Sequence, residues 1–255
     1  MARDLEKYLR PGTDGTPFCP GCGHGILMNL LLRSIDELQL DLDDLLFVSG
    51  IGCAAWIPSP HFNADTLHTL HGRAIAFATG AKLFNPRLLT IVVSGDGDLA
   101  AIGGNHLIHA ARRNLDLKVI CANNRIYGMT GGQAAATSPR GTISATTPDG
   151  CPDDPFDLCR LVLGAGAGYA ARYAVTQPRE LQAAIGKTLR MSGFTFIEVL
   201  SPCPTQYGRR QGLETAPELL AELREKCLPL EQWRRLPPAA RRERIATGEF
   251  TREPA

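Results

Sequence analysis

No stretch of this 255-residue chain runs for about 18 residues without interruption by polar side chains, so nothing in it predicts a membrane-spanning helix. Charge of one sign is also missing: 27 Lys and Arg against 26 Asp and Glu leave a formal +1. Such a balance supplies no field to gather nucleic acid. No basic run is interleaved with aromatics in the way single-strand binders require. The segment Met1–Arg10 lacks the apolar core of a secretory signal. The expectation is a cytoplasmic chain with neither membrane nor nucleic acid as partner. In that compartment the eight cysteines are not expected to form structural disulfides, which raises metal and redox roles. An apolar content of 44% argues against disorder for most of the chain. The length fits one large α/β domain, or at most two small ones.

What is there is organised around residues 89–133. An apolar run, Leu88–Val93, ends in Ser94-Gly95-Asp96-Gly97. A helix-like segment follows, then a second apolar run, Leu117–Ala122, ending in Asn123-Asn124 and a Gly-rich loop. Two β-like runs joined by a crossover helix predict an open, mostly parallel sheet with helices on both faces. Both polar clusters then lie at strand C-termini, where such sheets bind ligands. Asp96 offers a carboxylate oxygen, Asn124 an amide oxygen and Ile126 a backbone carbonyl. Oxygen-only ligation by few protein groups suits Mg²⁺, which keeps its other positions for water and phosphate oxygens. Gly95, Gly97 and Gly128 allow close backbone approach. The local chemistry reads as a Mg²⁺–diphosphate clamp.

The rest of the chain falls into an extended arm (1–17), a domain (18–227) and a tail (228–255) that is either a docking arm or solvated. Helices are expected over Ile26–Leu38, from Ala74 to about Phe84, over Asp157–Gly164 and Pro178–Met191, and from Pro217 to about Lys226. Strands are expected at Leu45–Ser49, Tyr169–Tyr173 and Phe194–Leu200. Residues 134–155 show no periodicity and read as an active-site flap. Cys19, Cys22, Cys53 and Cys203 each lie in a Pro/Gly loop beside a predicted strand end or helix start. Cys121 falls in a strand and Cys159 in a helix, so both read as core. Four thiolates hold either a structural Zn²⁺ or an iron–sulfur cluster, and the spacing favours neither.

Gly95-Asp96-Gly97, 26 intervening residues and then Asn124 after Asn123 resembles the motif of thiamine diphosphate-dependent enzymes. The block Asn124-Arg125-Ile126-Tyr127-Gly128-Met129-Thr130-Gly131-Gly132-Gln133 is narrower. It resembles the β subunit of 2-oxoacid:ferredoxin oxidoreductases, most of all the 2-oxoglutarate type. The resemblance covers roughly residues 15–215. It implies a diphosphate-binding domain with Mg²⁺ held by Asp96, Asn124 and Ile126. It implies that Ile51, Gly52, Cys53, Ala54, His71, Gly95, Gly97, Asp98, Gly128 and Met129 surround the cofactor. His71, in the triplet His71-Gly72-Arg73, is implied to touch it as a catalytic group. It also implies that Cys19, Cys22, Cys53 and Cys203 ligate a [4Fe–4S] cluster. His24, His106 and His109 read as structural.

The family's reaction converts a 2-oxoacid, CoA and oxidised ferredoxin to acyl-CoA, CO₂ and reduced ferredoxin. Thiamine diphosphate stabilises the carbanion left by decarboxylation, and a nearby cluster removes its electrons singly. One further absence is informative. Thiamine diphosphate enzymes need a carboxylate against the aminopyrimidine, and no glutamate lies in a motif loop here. The pyrimidine-binding domain is therefore expected on a partner α subunit, in an α₂β₂ assembly, with this chain inactive alone. The rival readings are a pyruvate or branched-chain 2-oxoacid enzyme, a non-redox decarboxylase or carboligase subunit with a structural metal at the cysteines, and a metal-binding assembly protein that has lost the chemistry.

Overall fold

A computed structural model describes residues 5–13, 15–213 and 215–251. The outermost residues of the expected arm and tail, 1–4 and 252–255, lie outside the described residues. A 3-10 turn at Glu6–Tyr8 precedes α1 (His24–Leu38), β1 (Leu45–Ser49), β2 (Asp65–His68), α2 (Ala74–Phe84) and β3 (Leu89–Gly95). A π-helical turn at Gly97–Ile102 leads into α3 (Gly104–Arg112) and β4 (Lys118–Asn123). A two-strand ribbon follows, β5 (Ile126–Tyr127) with β6 (Gln133–Ala134). Then come α4 (Leu158–Ala165), β7 (Tyr169–Ala174), α5 (Pro178–Arg190) and β8 (Thr195–Leu200). A second π-helical turn, Pro204–Gly208, precedes α6 (Ala216–Lys226) and β9 (Cys227–Pro229). The short helices α7 (Leu230–Arg235) and α8 (Pro238–Arg241) and the strand β10 (Ile245–Phe250) complete the described chain.

Eight strands form one sheet in the order β2-β1-β3-β4-β8-β7-β10-β9. From β2 to β7 every pairing is parallel, and only β10 runs antiparallel to its neighbour β7. Alternate side chains feed opposite faces. Phe47, Ile91, Ile120 and Ile197 pack with α1 and α5. Val48, Val92, Val119 and Phe196 pack with α2, α3 and α4. Burial on both faces is why these strands read as apolar runs rather than alternating ones. Local signals set the helix ends. Thr215 and Glu218 form a capping box at α6, Asp157 caps α4, and Pro178 opens α5.

Three segments differ from the sequence reading. Residues 228–250 are neither arm nor solvated tail: β9 and β10 extend the sheet, with Ala246 and Phe250 buried. The N-terminal segment packs on the domain, with Tyr8 buried, Leu9 bridged to Phe62 and Arg10 donating to the Ala64 carbonyl at 2.8 Å. The segment read as a flap has no regular structure beyond Ala134, yet it is packed, with Thr137, Ser138, Thr142, Ser144 and Cys151 buried. Its polar side chains find protein partners, which is the condition for burying an irregular loop. No helix among the described residues is long and apolar enough to cross a membrane.

Candidate active site

The chain leaves β1 toward β2 on one side of the sheet and enters β3 on the other. The strand order therefore reverses between β1 and β3, and their C-terminal ends open a crevice. Three loops fill it, after β1 (Gly50–Cys53), β3 (Asp96–Asp98) and β4 (Asn124–Thr130). Together they line a cavity of about 290 Å³. Every residue expected around the diphosphate and its cation lines it: Ile51 to Ala54, His71, Gly95 to Asp98, Asn124, Ile126, Gly128 and Met129.

The two aspartates of the first loop have separate duties. Asp96 is buried and accepts a hydrogen bond from the Thr137 hydroxyl. Burial lifts its carboxyl to about 6, against the opposing pull of Thr137 and of the Asp96 and Asn124 backbone N–H groups. Among the described residues no Lys or Arg lines the cavity. The Asn124 amide oxygen accepts the Ile126 N–H at 3.1 Å and keeps a second lone pair. Arg125, between them, is held at φ 63°, a strained conformation for a bulky residue. Its guanidinium stacks on Tyr207, 4.9 Å from the ring centre, and fixes the loop from below.

Asp98 faces protein donors. Its Oδ1 accepts from the Gly72 N–H at 2.7 Å and the Ile51 N–H at 3.3 Å, and pairs with His71 Nδ1 at 2.7 Å. Its Oδ2 accepts from the Ser94 hydroxyl. One carboxylate thus ties together the loops after β1, after β2 and after β3. Gly50 makes room for it, since a Cβ there would fall on the Asp98 side chain. The π-helical turn that follows, closed by the Gly103 N–H on the Asp98 carbonyl at 3.1 Å, aims the residue. His71 stands at the mouth of the cavity, a third exposed, with its ring 6.1 Å from that of Tyr127. Its Nδ1 also lies 3.1 Å from the Ile51 carbonyl, so this nitrogen is engaged by the protein and Nε2 is the one left open.

A second cavity, of about 360 Å³, lies beside the first. Cys19, Cys22, Cys53 and Cys203 all line it. Cys121, Cys151, Cys159 and Cys227 do not, and Cys121 and Cys159 are core residues as expected. Burial, reinforced by the other thiols, pushes Cys22 up to about 12 and raises Cys53 as well. Such thiols ionise when a metal takes the proton's place. Among the described residues no three His, Cys, Asp or Glu side chains are grouped to hold one metal ion. The two cavities share a wall made of Cys53, Asn124, Gly128 and Met129. A methyl on Gly128 would sit 3.5 Å from Cys203 Sγ and 3.8 Å from Cys53 Sγ.

Residues 50–199 match the thiamine pyrophosphate enzyme C-terminal TPP binding domain. The 2-oxoglutarate synthase subunit KorB of Methanothermobacter thermautotrophicus is 47% identical over 97% of this chain and 86% of that protein. The subunit of the same name from Methanocaldococcus jannaschii is 46% identical over 96% of this chain and 90% of its own length. The chain belongs to the β subunits of the 2-oxoacid:ferredoxin oxidoreductases. A solved 2-oxoglutarate:ferredoxin oxidoreductase from Magnetococcus marinus, with 2-oxoglutarate, coenzyme A and succinyl-CoA bound, superposes with a TM-score of 0.85. It is 30% identical, and the match covers 100% of this chain and 86% of that one.

The β subunit also holds site residues that the sequence did not flag. Tyr127 lies over Gly97, where a Cβ would collide with its ring. Thr205 places its hydroxyl 3.5 Å from Cys19 Sγ and 3.8 Å from Cys203 Sγ. His24, read as structural, lines the cofactor cavity; its Nδ1 lies 2.7 Å from the Ser201 hydroxyl, and burial lowers its pKa to about 4. His106 and His109 sit on α3 and line neither cavity.

Proposed function

We propose that this β subunit serves a cytoplasmic 2-oxoglutarate:ferredoxin oxidoreductase that oxidatively decarboxylates its substrate to succinyl-CoA and CO₂ and reduces ferredoxin. The observation that carries this reading is the shared wall: a diphosphate-type cavity with a buried Asp96 abuts a cavity lined by four cysteines, with Cys53, Asn124, Gly128 and Met129 between them. Thiamine diphosphate supplies an electron sink for decarboxylation, and a [4Fe–4S] cluster supplies a one-electron acceptor.

The donor sets fit these groups. Asp96, the free lone pair of Asn124 and the Ile126 carbonyl are hard oxygens for Mg²⁺. Gly95 leaves open space for a diphosphate, whereas Tyr127 covers Gly97 and Gly128 faces Cys203 and Cys53. A single Zn²⁺ needs its ligands about 2.3 Å from one point, whereas a four-iron cluster takes one thiolate per iron and spreads them. Cys19, Cys22, Cys53 and Cys203, drawn from three loops to one cavity, supply the four thiolates such a cluster takes. His71, held through Nδ1 by the Ile51 carbonyl and Asp98, keeps Nε2 as a hydrogen-bonding or proton-carrying group at the mouth.

A partner α subunit completes the site. No glutamate lines the cofactor cavity. Around its mouth Ile51, Leu70, Ile102 and Met129 are exposed, an apolar rim suited to a covering chain. The second carboxylate of 2-oxoglutarate needs a cation, and without Lys or Arg in the cavity that cation comes from the partner. Anaerobic dye reduction by the co-purified α and β chains tests the reading. CoA-dependent reduction with 2-oxoglutarate, about tenfold or more above pyruvate, is expected. Aldehyde release without dye reduction would move the assignment to a non-redox decarboxylase. A preference for pyruvate would keep the chemistry and overturn the substrate.

A further inference from the structure

The core of the sheet contains a run of polar groups that the chemistry above leaves unused. Glu198 stands in the middle of β8, in the apolar strand Thr-Phe-Ile-Glu-Val-Leu, and is buried. Arg172, directly opposite it on β7, donates through Nε to Glu198 Oε2 at 2.7 Å and through a terminal nitrogen to Asp157 Oδ1 at 2.7 Å. A buried ion pair is weak evidence for stability, because apolar residues of similar volume often serve as well. This one has a further partner. Glu198 Oε1 accepts from Asn123 Nδ2 at 2.7 Å. Asn123 Oδ1 in turn accepts from the Arg125 N–H at 2.9 Å and lies 3.1 Å from the Thr137 hydroxyl. That hydroxyl donates to Asp96 Oδ2.

Donor counting gives the run a direction. Asn123 is locked in one amide orientation, because a carboxylate faces its nitrogen and an N–H faces its oxygen. A threonine hydroxyl has one proton. That proton lies between two acceptors, nearer Asp96 Oδ2 than the second lone pair of Asn123 Oδ1 at 3.1 Å, so the hydroxyl bridges the two. We infer that Glu198, Asn123 and Thr137 form a buried positioning chain that orients the Asp96 carboxylate for its cation. The inference rests on the cofactor reading above and assigns a role to the 134–155 loop, whose residue 137 crosses back to the strand ends. Groups that orient a metal ligand from behind change metal affinity about 10–100-fold when removed.

Thr137 is the place to test it, since removing Glu198 would strand Arg172 in the core. The α/β complex is stripped of cofactor, and thiamine diphosphate binding is followed calorimetrically across a Mg²⁺ titration. Free Mn²⁺, counted by EPR, reads the cation directly. Thr137→Val is expected to raise the Mg²⁺ or Mn²⁺ needed for half-saturation about tenfold or more, with thiamine diphosphate affinity recovered at saturating metal. Thr137→Ser, which keeps the hydroxyl, is expected to restore the wild-type requirement. An unchanged metal requirement in Thr137→Val, with wild type binding normally, overturns the positioning chain alone. Wild type that binds thiamine diphosphate without needing a divalent cation overturns the cofactor reading and the chain's purpose with it. Should the valine variant fail to fold, the smaller Thr137→Ala carries the same two outcomes.

Discussion

The two cavities share a wall yet are built on opposite principles. In the cofactor cavity the polar groups are engaged by the protein itself. Asp98 meets three protein donors and pairs with His71, and Asp96 is braced by Thr137. These residues sit at the ends of β1, β3 and β4, so the sheet presets the site. In the cysteine cavity the thiols come from three separate loops, and the Thr205 hydroxyl is the polar side chain that touches two of them. On the proposed reading, one cavity is organised before its ligand arrives and the other by its ligand. That division of labour suits a bound cofactor that needs accurate placement beside a cluster that brings its own rigid geometry.

The largest expected effect breaks the second cavity alone. Cys203→Ala should take iron from about four per chain to near none and stop ferredoxin reduction, while Mg²⁺-dependent thiamine diphosphate binding survives. Metal analysis and calorimetry on the α/β complex check this, and full electron transfer in the variant would remove the cluster assignment. Asp96→Ala does the reverse. It should weaken thiamine diphosphate binding about 100-fold or more and leave the iron content unchanged. If both sites fail together in either variant, the cavities are not separable as described.

Smaller effects sharpen the contrast. Asp98→Ala removes the shared acceptor of the Gly72 and Ile51 N–H groups and of the Ser94 hydroxyl and leaves them unpaired. A loss of about 2 kcal/mol, or roughly 4–8 °C in Tm, is expected for the preset site. An equal loss on replacing Thr205 by Val would contradict the claim that only one cavity is braced by protein bonds. The smallest change lies in the wall. Gly128 is not in the left-handed region, and a methyl there would make ordinary contacts with Cys203 and Cys53. Gly128→Ala should therefore keep stability within about 0.5 kcal/mol, retain iron and cofactor, and slow substrate-dependent cluster reduction. Stopped-flow absorbance under single turnover measures it. An unchanged rate would show that electrons do not cross at Gly128.

Much of this was legible in the sequence wherever a single physical demand dominates a short stretch. Strands such as Leu45–Ser49 and Thr195–Leu200 are buried on both faces and read as unbroken apolar runs. Asp96, Asn124 and the four cysteines sit in Gly- or Pro-bearing loops at strand ends, and the structure brings each group to one cavity. Strands without that demand were missed. β2, Asp-Thr-Leu-His, lies at the sheet edge and is largely exposed. β10, Ile-Ala-Thr-Gly-Glu-Phe, carries Gly248 at φ 137° beside an arginine-rich stretch and looks like tail. Thr137 had no local signature, because its bond to Asp96 spans 41 residues and exists only once the loop is folded. The sequence reading set Asp96 on the cation and Asp98 beside the cofactor; the protein donors that engage Asp98 are visible only in the folded chain.

The central claim is that a redox cluster and thiamine diphosphate work side by side. It is tested most directly by anaerobic co-purification with the α chain, iron and zinc analysis, and a low-temperature EPR spectrum after addition of 2-oxoglutarate. About four irons per β chain and a substrate-dependent radical or reduced-cluster signal are the predicted result. Stoichiometric zinc with no signal would contradict it and leave the four cysteines as a structural clip beside a non-redox site.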